Sequence, residues 1–202
     1  MSRLLLIRHG RTNLQKEDRY WGNTDIPLNA LGIKQAEQLR ARLSSEKITA
    51  VYSSTLSRAR DTAKIIAAGY RLDVTACEEL CECNFGYVEG LTYDEIKKLY
   101  PALAEELGKM KAINFPGGES LDRFYVRVKT FLQRLEKHKP QDTIAIVAHG
   151  GSLRMLICHL LELEVKHWHR MRIDSASLSI VEAYPHISIL NLLNDTSHLI
   201  PV

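Results

Sequence analysis

LLLIRHG (residues 4–10) and IAIVAHGG (residues 144–151) end alike: each is an apolar run that leads into His-Gly, with Arg8 placed between the two in the first. A short run rich in leucine and β-branched side chains, bounded by glycine, reads as a strand buried on both faces of a parallel sheet. In open α/β sheets ligands bind just past the carboxyl ends of the strands. The shared ending therefore predicts that His9 and His149, distant in sequence, meet at one mouth with Arg8 beside the first. Imidazoles next to a fixed cation describe an anion site, and phosphate is the anion class they suit.

Outward from these runs, strand and helix signals alternate. Residues 48–52 read as a second strand, and SSTLSRARDTAKIIAAG after it reads as a helix stopped by Gly69. Residues 72–75 form a short third strand and residues 143–148 a fourth. Residues 178–183 and 187–193, separated by Tyr184, Pro185 and His186, read as an antiparallel pair closing one edge. Asn29 caps a helix with Leu31, Ala36, Leu39 and Leu43 as its apolar positions. Thr92 and Glu95 form a capping box for a helix that stops before Pro101, where another begins. After PGGES (residues 116–120) comes a helix with Leu121, Phe124, Val128, Phe131, Leu132 and Leu135 on one face. The helix after Gly151 is apolar nearly all round, so it lies against the sheet. The alternation predicts an α/β fold of right-handed βαβ units in one domain over residues 1–202, with a helical cap excursion at about residues 91–139.

Composition removes several function classes. The chain has 202 residues, 45% of them hydrophobic, and a formal net charge of +3. That supports one substantial core and, without a long basic run, no nucleic-acid partner. No apolar stretch approaches the ~20 residues that cross a bilayer. Residues 4–7 are too short for a signal-peptide core, so a cytoplasmic protein is expected. Cys77, Cys81 and Cys83 are spaced C-x3-C-x-C, and Cys158 lies in an apolar segment. That spacing matches no common zinc pattern, and neither do His167 and His169, so reduced thiols and no metal are expected.

Phosphoryl transfer spreads negative charge over three equatorial oxygens, which arginine's planar fork neutralises. Arg8 is one such donor, and Arg58 or Arg60 supplies another from a helix amino terminus that itself favours an anion. With these cations no metal or cofactor is required. Neutral histidine can attack phosphorus, and a carboxyl group can protonate the leaving oxygen and later activate water. Glu78, Glu79, Glu82 and Glu89 lie in a segment without clean periodicity, and physical chemistry alone does not choose among them. Taken singly, a histidine or glycine after a strand is ordinary structural chemistry. Recurrence at the ends of two strands is what favours function.

Several blocks resemble the histidine phosphatase superfamily, also called the phosphoglycerate mutase-like family. They are LIRHGRT, GNTDIPLNALGIKQA (residues 22–36), YSSTLSRARDTA (residues 52–63), ELCECNFGYVEGLT (residues 79–92), PGGES and VAHGGSLR (residues 147–154). The resemblance implies a three-layer α/β/α sandwich on a mostly parallel six-stranded sheet with one antiparallel strand. It implies His9 as the nucleophile and Glu82 as the proton donor, with Glu89 structural. Arg8, Arg58, His149 and a backbone amide at Gly150 would hold phosphate. The family's asparagine seven residues after the motif arginine is replaced by Gln15, which keeps the amide on a longer stem.

The chain lacks the arginine-rich insertions of the related mutases, so phosphatase is the expected activity over bisphosphate-dependent mutase. A regulatory module that only binds phosphate would be expected to lack the nucleophile or the acid. Length, the segment ECNFGYVEGLTYDEI and the tail LNDTSHL are similar to α-ribazole phosphatases, with sugar-phosphate, phosphoserine and broad-specificity phosphatases as alternatives. A small phosphorylated metabolite is the expected partner, and a homodimer is compatible with the sequence. Substrate choice is expected from residues 91–139 and from the loop carrying Tyr20 and Trp21.

Overall fold

A computed structural model describes residues 2–14, 19–109 and 113–200. Its centre is a six-stranded sheet of β1 (Ser2–Arg8), β2 (Ile48–Ser54), β3 (Val74–Cys77), β4 (Thr143–Ala148), β5 (Leu178–Ala183) and β6 (Ser188–Asp195). The order is β3-β2-β4-β1-β5-β6. β1, β2, β3 and β4 run parallel, while β5 is antiparallel to both β1 and β6. The alternation of strands and helices required a mostly parallel sheet, and the antiparallel pair β5–β6 closes one edge as expected.

Residues of the central strand alternate between two cores, because successive side chains point to opposite faces. Leu5 and Ile7 pack against helices α1 (Ala30–Arg42) and α2 (Ser57–Ala68) through Leu39, Ala59, Ala63 and Ile66. Leu4 and Leu6 face α3 (Tyr93–Leu99), α4 (Pro101–Lys109), α5 (Leu121–Phe131) and α6 (Gly150–Leu160) through a core including Ile96, Leu103, Phe124, Phe131 and Leu156. The result is a three-layer α/β/α sandwich. Asn29 caps α1 by accepting from Gly32 N at 2.8 Å, and Thr92 with Glu95 forms the expected capping box of α3.

Some boundaries differ from expectation. β2 runs on through Ser53 and Ser54, which are polar but fully buried, because parallel pairing with β4 continues to Val147. β3 starts at Val74, later than read, since its register on β2 begins at the Val51–Val74 pair. The helix ending at Phe131 tightens into a 3₁₀ turn over Leu132–Leu135, which leaves Leu132 and Leu135 half-buried. No helix among the described residues is long and apolar enough to cross a membrane.

Candidate active site

The register of β1 on β4 pairs Arg8 with Ala148, so the next residue of each strand, His9 and His149, emerges at the same carboxyl edge. Their ring centroids lie 5.1 Å apart with the planes tilted by 59°. His9 N donates to Ala148 O at 3.0 Å, and Ala176 N donates to His9 O at 3.0 Å, so the backbone on both sides fixes the residue.

His9 Nδ1 lies 2.7 Å from Gly10 O. A carbonyl only accepts, so Nδ1 carries the proton and Nε2 keeps its lone pair. Burial, then Arg58 and Arg8, hold the His9 pKa well below its usual 6.5, so the ring is neutral at neutral pH. His149 is depressed in the same direction by burial, then Arg58, His9 and Arg8. Both ring nitrogens of His149 are buried without a hydrogen-bond partner among the described residues. Such unmet polar atoms are rare in folded proteins, and the one that carries the ring proton suits a ligand's oxygen.

Arg58, only 3% exposed, extends from the first turn of α2. Its Nη1 donates to Thr24 O at 2.8 Å and its Nη2 to Gly22 O at 2.7 Å. That loop is itself held by the Glu89 carboxylate, which accepts from Gly22 N, Asn23 N, Thr24 N and the Thr24 hydroxyl at 2.6–3.2 Å. Of the two arginines left open by the residue reading, Arg60 is exposed and lies 4.0 Å from Asp61, outside the site. The amino terminus of α2 is not open to a ligand as expected, because Ser57 N donates to Asp25 Oδ1 at 2.7 Å. Arg8 is anchored by Nη1 donating to Ile173 O at 2.6 Å, and its guanidinium faces Gly150, the first residue of α6. Burial lowers the pKa of both guanidinium groups, and the Glu82 carboxylate is the largest influence opposing it.

Among the four acids, Glu82 is the one that lines the cleft. Its Oε1 accepts from Cys83 N and its Oε2 from Gly151 N, both at 2.9 Å. Glu79 pairs with Arg134, Glu89 holds the loop at residues 22–24, and Glu78 is exposed. The cleft has a volume of about 610 Å³, and Arg11, Arg19, Trp21, Arg172 and Asp174 stand around Arg8, His9 and Arg58. Trp21 lines it as expected, but Tyr20 packs edge-on against Phe85 instead. None of the described residues between 91 and 139 reaches this cleft, contrary to the expectation for substrate choice. Gln15 lies outside the described residues.

Thr62 was not anticipated. Its hydroxyl accepts from Gly10 N at 3.1 Å and donates to Arg58 O at 2.8 Å, tying the His9 turn to α2. Its place four residues after Arg58 on α2 was the available signal. Cys77, Cys81, Cys83 and Cys158 are free thiols, and burial pushes Cys77 and Cys158 up to about 11. Among the described residues no group of three or more His, Cys, Asp or Glu side chains is arranged to hold a metal ion.

The family model for the histidine phosphatase superfamily (branch 1) matches residues 4–196. This chain is a phosphatase of that superfamily. It is 32% identical over 200 residues to phosphoserine phosphatase 1 of Hydrogenobacter thermophilus, covering 98% of this chain and 95% of that protein. It is 30% identical over 196 residues to the adenosylcobalamin/alpha-ribazole phosphatase of Escherichia coli, covering 95% of each. The crystal structure of a putative alpha-ribazole-5'-P phosphatase from Escherichia coli superposes with a TM-score of 0.89 at 29% identity, covering 100% of this histidine phosphatase and 98% of that chain.

Proposed function

We propose that the protein hydrolyses small phosphomonoesters through a phosphohistidine formed on His9. The observation that carries this reading is the Nδ1–Gly10 O bond, which leaves an unprotonated Nε2 beside Arg8 and Arg58. His9 Nε2 attacks phosphorus as the bond to the leaving oxygen breaks, and Glu82 gives that oxygen its proton, so an alcohol departs. Water then attacks the phosphorus of the phosphohistidine, Glu82 takes the water's proton, and the P–N bond breaks to release inorganic phosphate. The Arg8 and Arg58 guanidinium groups neutralise the equatorial oxygens, and the His149 ring N–H and the Gly150 amide donate hydrogen bonds to them. The guanidinium groups already supply the positive charge, so turnover is expected to persist in a chelator.

For the substrate, α-ribazole 5'-phosphate is the first reading, supported by the size of the cleft and by Trp21 on its wall as a stacking surface for a base. A phosphorylated carboxylic acid such as phosphoserine is the second, favoured by the exposed Arg11 guanidinium at the rim. Four free thiols suit a reducing compartment such as the cytoplasm. Ranking both compounds and a panel of common phosphomonoesters by kcat/KM decides the substrate. Trapping an alkali-stable, acid-labile phosphoenzyme by mass spectrometry decides the chemistry. Its formation by wild type and loss in His9→Ala is the expected result, and turnover retained in His9→Ala would end this reading.

A further inference from the structure

Glu82 lies in a loop between two single 3₁₀ turns, Glu78–Leu80 and Gly86–Val88, yet proton transfer needs its carboxylate held in one place. What holds the segment lies outside the cleft. Arg127 on α5 reaches beneath it. Its Nη1 donates to Glu78 O and Glu79 O at 3.1 Å and to Cys81 O at 3.0 Å, and its Nη2 donates to Glu82 O at 3.1 Å. The same guanidinium pairs with Glu119 of the PGGES turn, Nη2 to Oε1 at 2.6 Å and Nε to Oε2 at 3.2 Å.

Glu119 ties the other end of the segment. Its Oε1 accepts from Asn84 N, and its own N donates to Asn84 O, both at 2.9 Å. Tyr87 N donates to Pro116 O at 2.8 Å. Gly118 approaches so closely that a Cβ there would collide with Asn84 O and lie 2.7 Å from Gly86 N, so the turn can seat only with glycine at that position. Lysine could not replace this arrangement, because only a planar fork serves several carbonyls and a carboxylate at once.

We propose that Arg127 and Glu119 are positioning residues: a clamp behind the site that sets the Glu82 carboxylate where it meets the leaving oxygen. This rests on the reading of Glu82 as proton donor. Arg127 does not line the cleft; it faces a separate pocket with Asn23, Cys81 and Glu119, and its charge is the smallest of the influences that lower His149, so its main route to the leaving oxygen is through Glu82. It also accounts for the PGGES motif, which the chemistry of the cleft leaves without a role.

The test compares wild type with Arg127→Ala, Arg127→Lys, Glu119→Gln and Glu82→Gln in the full chain, on two kinds of ester. An alkyl phosphate releases an alkoxide that needs a proton, whereas 2,4-dinitrophenyl phosphate releases a phenolate that does not. Loss of a well-placed general acid costs about 10²-fold or more, so Arg127→Ala is expected to lower kcat/KM for the alkyl ester about 30-fold or more. For the dinitrophenyl ester the expected loss is under about threefold, and inhibition by inorganic phosphate stays within about twofold. Arg127→Lys should recover only part of the loss. Glu82→Gln should show the same split, with the Arg127→Ala/Glu82→Gln double variant no slower than Glu82→Gln alone.

Equal losses on both esters in Arg127→Ala, beside a clear split in Glu82→Gln, would overturn the clamp and leave the proton donor standing. No split in Glu82→Gln would overturn both. If Arg127→Ala does not fold, Glu119→Gln carries the same decision with a smaller expected split of about tenfold, because it keeps an acceptor for Asn84 N but loses the ion pair.

Discussion

Substituting Gly151 by alanine should separate activity from stability. Gly151 is the second residue of α6 and donates its N–H to Glu82 Oε2 at 2.9 Å. A Cβ placed on it would lie 3.0 Å from Glu82 Cδ and 3.2 Å from Phe124 Cε1, and closer still to Glu82 Oε1. Ordinary carbon contacts begin near ~3.5 Å, so the carboxyl group must retreat by roughly 1 Å and stretch its bond to Gly151 N. Phe124 is fully buried and gives little room on the other side. A displacement of about 1 Å in a reacting group costs on the order of 10²-fold, or about 2.7 kcal/mol of transition-state stabilisation. The helix itself should gain from alanine by up to about 1 kcal/mol. The expected phenotype is therefore a stable enzyme with kcat reduced about 100-fold on alkyl phosphates and an almost unchanged inhibition constant for inorganic phosphate. Steady-state kinetics with thermal melting reads both quantities. A variant within threefold of wild-type kcat, or one impaired only through KM, would refute the argument that the Glu82 carboxylate needs this space.

Glu89→Gln should weaken phosphate binding through the chain from Glu89 to the loop at residues 22–24 to Arg58, and lower stability by about 1–3 kcal/mol; it should leave the leaving-group dependence of kcat/KM unchanged, and a steeper dependence would contradict a structural role. His9 and His149 titrate well below 6.5 when folded but near 6.5 when unfolded, so the unfolded state binds more protons and stability falls as pH drops below about 6.5. Each contributes up to about 1.4 kcal/mol per pH unit, so His149→Asn should show a shallower loss of Tm from pH 7 to 5.5 than wild type; equal slopes would count against the depressed value. Asn29→Ala should cost about 1 kcal/mol by removing the α1 cap, read by urea unfolding, with kcat unchanged. Incubation with EDTA should leave turnover intact, and loss of activity restored by added metal would revive a metal-dependent mechanism.

The sheet and its mouth were legible because apolar runs and glycines mark strands and their ends, and β1 with β4 place His9 and His149 together. Ser53 and Ser54 were not readable as strand, since hydroxyls signal exposure until a neighbouring strand and helix cover them. Local patterning also could not separate Arg58 from Arg60. Both sit on the same first turn, and only the packing of α2 against β2 turns one inward. The choice of Glu82 from four acids came from family resemblance. In space it follows from the Gly151 and Cys83 amides, contacts that span the chain or depend on one backbone turn. The roles of Arg127 and Glu119 are not legible in the sequence, because apart from each other their partners are main-chain carbonyls and amides that leave no trace in residue type.

The position of β1 sets when this enzyme can first work. Both of its hydrogen-bonded neighbours, β4 at Thr143–Ala148 and β5 at Leu178–Ala183, lie far downstream of it in the sequence. During synthesis His9 leaves the ribosome well before the strands that flank β1, and its setting forms only once β4 and β5 have been translated. A product interrupted before β4 therefore carries the His9 imidazole without the His149 ring beside it, and the long-range pairing that joins the two is among the slower contacts to form.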